Sequence, residues 1–267
     1  MKQNLIVTKY NFTNAKIAHD LRIVMLADLH NQIYGLENAR LLSAIAKEKP
    51  DMILLPGDMI VCHTGEEDGN SETARTIRRM TEIAPVYYSY GNHERGLLES
   101  VHETDGLFEK YRKELSHVKH LSILKNEHIA LPDFHVCIYG LDLPRAYYTR
   151  VFKKTLHTNV LDTYIGKPDL TWCNLILAHN PDYFRVYCTL NPDFIFSGYN
   201  HGGMVRIPGV GGLVSPRLHP FPKYDYGIYK GNQEKTSMIV TSGCGMHSIP
   251  IRINNPPELV AINVNKV

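Results

Sequence analysis

Residues Arg22–His30 read RIVMLADLH: a short apolar run, then an acidic residue, then a histidine. Five apolar residues from Ile23 to Ala27 without a polar interruption predict a strand buried on both faces. Asp28 and His30 are metal-ligand types, placed where the carboxyl end of a strand borders the crevice of an open α/β sheet. The arrangement repeats outward from this stretch. Met52–Pro56 (MILLP) leads into Gly57-Asp58, and Val86–Tyr90 (VYYSY) into Gly91-Asn92-His93-Glu94. Leu175–His179 (LILAH) is followed by Asn180-Pro181-Asp182, and Phe194–Gly198 (FIFSG) by Tyr199-Asn200-His201-Gly202-Gly203.

Taken singly, these signals are ordinary. Gly-Asp is a common turn, Asn-His after glycine is loop chemistry, and a lone histidine is mostly a surface or satisfied core residue. Together they are not. Three carboxyl or amide oxygens (Asp28, Asp58, Asn92) and three imidazoles (His30, His179, His201) each fall at a strand end. A structural core avoids burying so many polar groups without partners. The recurrence predicts that the clusters converge on a metal site.

Between these strands, Leu36–Lys49 carries Leu41, Leu42 and Ile45 at helical spacing and stops at lysines and Pro50. Thr73–Ile83 and Thr104–Leu115 are further helix candidates. Val136–Gly140, Met238–Ser242 and Leu259–Val264 complete the set of strands. Strand–helix alternation predicts a layered α/β architecture. Gly/Pro density marks Ile207–Pro222 as a long surface loop, and Pro144–Lys167 reads as an insertion rather than core. With no repeat, low-complexity tract or linker, residues 1–267 are expected to form one domain.

Composition narrows the setting. Of 267 residues, 43% are hydrophobic and 21% charged, ordinary values for a soluble protein. A formal charge of +2 is too small to point to nucleic acid or a membrane surface. The five cysteines show no C-x-x-C spacing and read as small hydrophobes in a reducing compartment. The amino terminus lacks the features of a signal peptide. No apolar stretch approaches the ~18 residues of a spanning helix. A soluble, cytoplasmic protein without a transmembrane segment is expected.

In order, these residues match D-x-H … G-D … G-N-H-E … H … G-H-x-H, so the chain resembles the calcineurin-like metallophosphoesterases from about Arg22 to its end. Ala178-His179-Asn180-Pro181-Asp182, Ile249-Pro250-Ile251-Arg252 and Asn255-Pro256-Pro257-Glu258-Leu259 look like a bacterial subgroup with cell-envelope and phosphodiesterase-type members. The resemblance implies a four-layer α/β sandwich, two mixed β-sheets face to face with helices outside. It implies two divalent or trivalent ions (Mn, Fe or Zn), the first held by Asp28, His30, Asp58 and His201. The second is implied at Asp58 as bridge, Asn92, His179 and position 199. It further implies that a hydroxide shared by the ions attacks phosphorus in line, with Asn92 and Asp58 at the reacting centre. His93 is the implied outer-sphere residue that orients phosphate or protonates the leaving oxygen, and Glu94 the implied support for the ligands.

At 199 the family pattern has histidine and this chain has tyrosine. Three readings stay open: a weakened second site, ligation by tyrosinate, or an empty site in a slow enzyme or phosphate-binding pseudoenzyme. An engineered replacement is a fourth origin. A phosphomonoester or phosphodiester is the expected partner, preferably a small-molecule or lipid-linked diester. A nuclease is the enzymatic alternative; a protein phosphatase has no sequence feature in its favour. Lys223 or Tyr226 could touch substrate from the Gly/Pro loop, and Arg145, Tyr147, Tyr148 and Arg150 could form a phosphate-facing lid, although solvated surface is the plainer reading of both. Arg252, Asn254 and Asn255 read as structural support.

Overall fold

A computed structural model of the chain describes residues 4–62, 67–99, 106–149, 154–216, 218–231, 234–246 and 251–267. Arg150, Ile249 and Pro250 lie outside the described residues. In chain order the strands are β1 (Ile6–Asn14), β2 (Leu21–Met25), β3 (Met52–Leu55), β4 (Val86–Tyr88), β5 (Leu121–Ile123), β6 (Glu127–Leu131) and β7 (Val136–Leu141). They continue with β8 (Cys173–Ala178), β9 (Phe194–Ser197), β10 (Val205–Ile207), β11 (Gly211–Val214), β12 (Gly227–Lys230), β13 (Ser237–Val240) and β14 (Glu258–Lys266). The principal helices are α1 (Ala39–Lys47), α2 (Glu67–Met80), α3 (Asn92–Glu99), α4 (Leu107–Leu115) and α5 (Thr158–Ile165).

Two six-stranded sheets result, ordered β1-β14-β2-β3-β4-β5 and β12-β13-β9-β8-β7-β6. Both are mixed. β2 through β5 run parallel, with β14 antiparallel to β2. β7, β8, β9 and β13 run parallel between antiparallel β6 and β12.

The inner strands are buried at every position, as in β3 (MILL) and β8 (CNLILA). Period-two alternation explains this: successive side chains enter two different cores. Ile23, Met25, Met52 and Leu54 of the first sheet meet Val136, Ile138, Leu175 and Leu177 of the second between the layers. Val24, Ile53 and Leu55 face outward onto Leu41 and Ile45 of α1 and Ile77 of α2. Ile176 and Ile195 face Leu161 and Ile165 of α5 on the opposite outer side. Each such aliphatic side chain contributes roughly 1.5–3 kcal/mol by burial. The order helix, sheet, sheet, helix is the predicted four-layer sandwich.

Several segments differ from the sequence reading. Pro144–Lys167 is core in its described part: Tyr147, Tyr148, Leu156, Leu161 and Ile165 are buried on the outer face of the second sheet. Its lysines and arginine masked an amphipathic stretch whose apolar side covers β7 and β8. Ile207–Pro222 is not all loop, because β11 within it pairs with β10 as an antiparallel ribbon. Glycines at Gly211 and Gly212 hid that strand. β1 was also absent from the sequence reading; its residues IVTKYNFTN are only half-buried along a sheet edge.

Candidate metal centre

The predicted clusters converge where the carboxyl ends of both sets of parallel strands meet. Asp28 and His30 follow β2, Asp58 follows β3, Asn92 and His93 open α3 after β4, His179 follows β8, and Tyr199 and His201 follow β9. Five of these residues take left-handed backbone conformations: Asp28 (φ 52°), His30 (46°), Asp58 (54°), Tyr199 (74°) and His201 (49°). A non-glycine residue costs roughly 1 kcal/mol or more there. The turns are held by hydrogen bonds between loops, the amides of Asp28 and His30 donating to the carbonyls of Gly57 and Asp58 at 3.1 and 3.2 Å.

Three overlapping groups, Asp28/His30/His201, His30/Asp58/His93 and Asp28/Asp58/His179, each place their donor atoms within 4.8 Å of one another. His30 Nε2 stands 3.1 Å from His201 Nε2 and 3.8 Å from both Asp28 Oδ1 and Asp58 Oδ2. His201 Nε2 is 3.3 Å from Asp28 Oδ1.

His179 completes the cluster from the end of β8. Its Nδ1 lies 2.8 Å from the Pro56 carbonyl, which can only accept, so Nδ1 carries hydrogen. In the neutral ring Nε2 is then a lone pair, buried and 3.1 Å from Asp58 Oδ2, a contact that a proton or a metal ion between the two atoms relieves. Burial opposes the charged ring, but the Asp58 carboxylate outweighs it and pushes His179 up to about 9. The Asp58 carboxyl, though burial opposes ionisation, is held far below the usual range by His179 and His93. Burial together with His93 and His201 keeps His30 neutral, well below the ordinary imidazole range. Imidazoles, ionised carboxylates and the buried, unpartnered amide oxygen of Asn92 make a donor set suited to first-row transition metals.

One oxygen of Asp58, Oδ2, faces both His30 and His179, because Oδ1 accepts the His93 amide at 2.8 Å. His93 is fixed by the Cys62 amide, which donates to its Nδ1 at 3.0 Å, and its ring meets His30 edge-on at 4.6 Å.

Glu94 does not touch an imidazole. It accepts the amides of Asp58, Met59 and Gly91 at 3.0, 2.7 and 2.9 Å and the Tyr88 hydroxyl at 2.6 Å. Burial and the Asp58 charge push it up to about 7, against the pull of these donors. Arg252 ties down the loop after β13 through the carbonyls of Ser242, Gly243 and Gly245, at 2.9, 3.3 and 2.5 Å. Asn255 donates to the carbonyls of His201 and Gly203, both at 2.6 Å. These two support the loops, as expected.

The Tyr199 amide donates to Asp28, while its hydroxyl donates to the Tyr148 carbonyl at 3.0 Å. Tyr148, for which the sequence favours solvated surface over a lid, is a buried wall beside His179 and Tyr199. Its contact across 51 residues left no local signal in the sequence. Tyr226 hydrogen-bonds Glu258. Lys223 lines a cleft of about 250 Å³ with Thr149, Asp182, Tyr199 and His219.

Among the described residues no helix is long and apolar enough to cross a membrane. A metallophosphoesterase of Campylobacter jejuni, itself uncharacterized, is 26% identical over 92% of this chain, which spans 59% of that protein's length. The phosphodiesterase YaeI of Escherichia coli is 27% identical over 74% of this chain and 67% of its own. The UDP-2,3-diacylglucosamine pyrophosphatase LpxG of Chlamydia muridarum is 25% identical over 90% of this chain and 82% of its own. The calcineurin-like phosphoesterase profile matches residues 21–203, which carry every residue of the cluster, and the chain belongs to that family.

Proposed function

We propose that this chain hydrolyses phosphate esters at a two-metal centre, with a phosphodiester or phosphoanhydride as the preferred substrate class. The observation that carries the proposal is the convergence of Asp28, His30, Asp58, His93, His179 and His201 in three overlapping groups, the donor atoms of each lying within 4.8 Å of one another. The relatives' names support the substrate class, since one is a phosphodiesterase and one a pyrophosphatase.

Asp28, His30, Asp58 and His201 are the residues that would hold one ion. Asp58, Asn92 and His179 would hold the other. Bound there, two divalent cations make a water nucleophilic near neutral pH and offset charge on the phosphoryl oxygens. The protein's own contribution is positional. Asp58 is fixed by the Glu94 network, and His179 by the Pro56 carbonyl. His93 accepts at Nδ1 from the Cys62 amide, so its neutral ring carries the proton on Nε2. That proton is placed to hydrogen-bond a phosphoryl oxygen or the leaving oxygen, a contribution typically worth about 10²–10⁴ in rate.

The test is hydrolysis of an aryl phosphodiester and an aryl phosphomonoester with added manganese. Manganese-dependent turnover, faster on the diester, abolished by Asp58→Ala and reduced by His93→Gln with metal content unchanged, is expected. Bound metal with no turnover of either ester would leave a binding protein and sink the proposal.

A further inference from the structure

We infer that the two halves of the centre are unequal: the Asp28–His30–His201 half takes a divalent ion tightly, whereas the His179 half takes its ion far more weakly. This rests on the metal-centre reading above and concerns how the ions divide between its halves.

The donor sets differ in kind. The Asp28 carboxylate stands against two imidazoles, with Asp28 Oδ1 3.3 Å from His201 Nε2, 3.8 Å from His30 Nε2 and 3.7 Å from His179 Nε2 across the centre, and the two Nε2 atoms of His30 and His201 3.1 Å apart. Asp58 Oδ2 joins them 3.8 Å from His30. On the other side stands a single imidazole, His179, whose Nε2 lies 3.1 Å from that same Asp58 Oδ2 and 3.7 Å from Asp28 Oδ1, and the uncharged amide oxygen of Asn92 is buried without a hydrogen-bond partner. Asp58 cannot offer its second oxygen freely, because Oδ1 accepts the His93 amide at 2.8 Å. Both carboxylates reach both halves, so one imidazole with an uncharged amide oxygen faces two imidazoles. First-row divalent ions gain affinity with each imidazole and carboxylate in the set.

The aromatic ring next to His179, 5.6 Å away, belongs to Tyr199. Its hydroxyl is engaged elsewhere, donating to the Tyr148 carbonyl at 3.0 Å. That acceptor is fixed, since Tyr148 is 1% exposed and packed with Leu161 and Tyr187 in the outer core. A phenol whose proton lies in such a bond offers a cation only a weak neutral oxygen. The Tyr199 amide donates to Asp28, so the turn cannot swing to bring another group inward without disturbing the tight half. The poor half would therefore fill from free metal, and turnover would follow metal supply.

The metal-free chain is titrated with manganese, bound ion being read by calorimetry and by the paramagnetic resonance of free Mn²⁺. One tight equivalent is expected, and a second at least about 10–100-fold weaker. Loss of an outer-shell partner alone costs that much, and a missing direct donor costs no less. Tyr199→His should bring the second equivalent within about tenfold of the first. Tyr199→Phe should leave both unchanged, with near-ultraviolet dichroism reporting an intact fold. Two equivalents of similar affinity in the parent, or no tightening in Tyr199→His, overturns the inference. Loss of the second equivalent in Tyr199→Phe also overturns it, by making the phenol a ligand. A parent that binds no manganese, indistinguishable from Asp58→Ala, overturns the metal-centre reading itself.

Discussion

Glu94 lies beneath the Asp58 turn and ties it to Gly91. One of its oxygens takes the amides of Asp58 and Gly91, and the other takes the Met59 amide and the Tyr88 hydroxyl. The carboxylate therefore positions Asp58 through the backbone.

Removing these acceptors should be costly in proportion to the donors stranded. Each buried amide left unpaired costs about 1–3 kcal/mol, so Glu94→Ala is expected to lose the fold. Glu94→Gln keeps one acceptor oxygen and turns an NH₂ group toward amide donors. It should fold with a lower Tm and bind manganese about 10–100-fold more weakly. Calorimetric titration and thermal melting read both quantities. A Gln variant with parental affinity would remove Glu94 from the support of the site.

The sequence carries the two-sheet fold because fully buried strands alternate with amphipathic helices, and strands such as MILL and LILA have no other environment. It carries the convergent cluster because strand-end carboxylates and imidazoles recur in five places. What it does not carry is held by contacts that leave no periodicity. The Pro56 carbonyl that sets the His179 tautomer is a backbone atom, and the Tyr148 carbonyl that receives the Tyr199 hydroxyl lies 51 residues away. Burial of Tyr147 and Tyr148 was obscured because arginines and lysines flank them. β1 escaped because a half-buried edge strand alternates weakly.

Gly91 is required for lack of space. A Cβ placed there would stand 2.6 Å from the Asp58 amide nitrogen and 2.9 Å from its Cγ. Both belong to the Glu94-anchored turn, which cannot yield cheaply. Gly91→Ala, which alters no donor atom, should cut manganese affinity by at least about tenfold through displaced Asp58. Equilibrium dialysis measures it, and unchanged affinity would mean that the turn is more compliant than its hydrogen bonds suggest.

Leu161 tests the reassignment of the Pro144–Lys167 segment. It is fully buried on α5 against the second sheet. Leu161→Ala should cost about 2–5 kcal/mol in urea unfolding. A solvated insertion would give a change within about 0.5 kcal/mol.

The His179–Asp58 contact also fixes a pH dependence. In the metal-free fold His179 is pushed up to about 9 from an ordinary 6.5, and Asp58 stays ionised throughout that range. The protonated ring is the form that the fold favours. Its contribution to metal-free stability is thus complete below about pH 6.5 and is lost as pH rises through about 9. A metal ion needs the neutral ring and takes the proton's place. Manganese affinity should therefore climb from pH 6.5 to 9 with release of a proton, and level off above. Over that window the Tm of the metal-free protein should fall, while the gap between loaded and metal-free protein widens. His179→Gln should flatten the metal-free curve. Melting curves across this range, with and without manganese, measure all three, and a metal-free Tm that does not fall would mean that no proton is shared between His179 and Asp58.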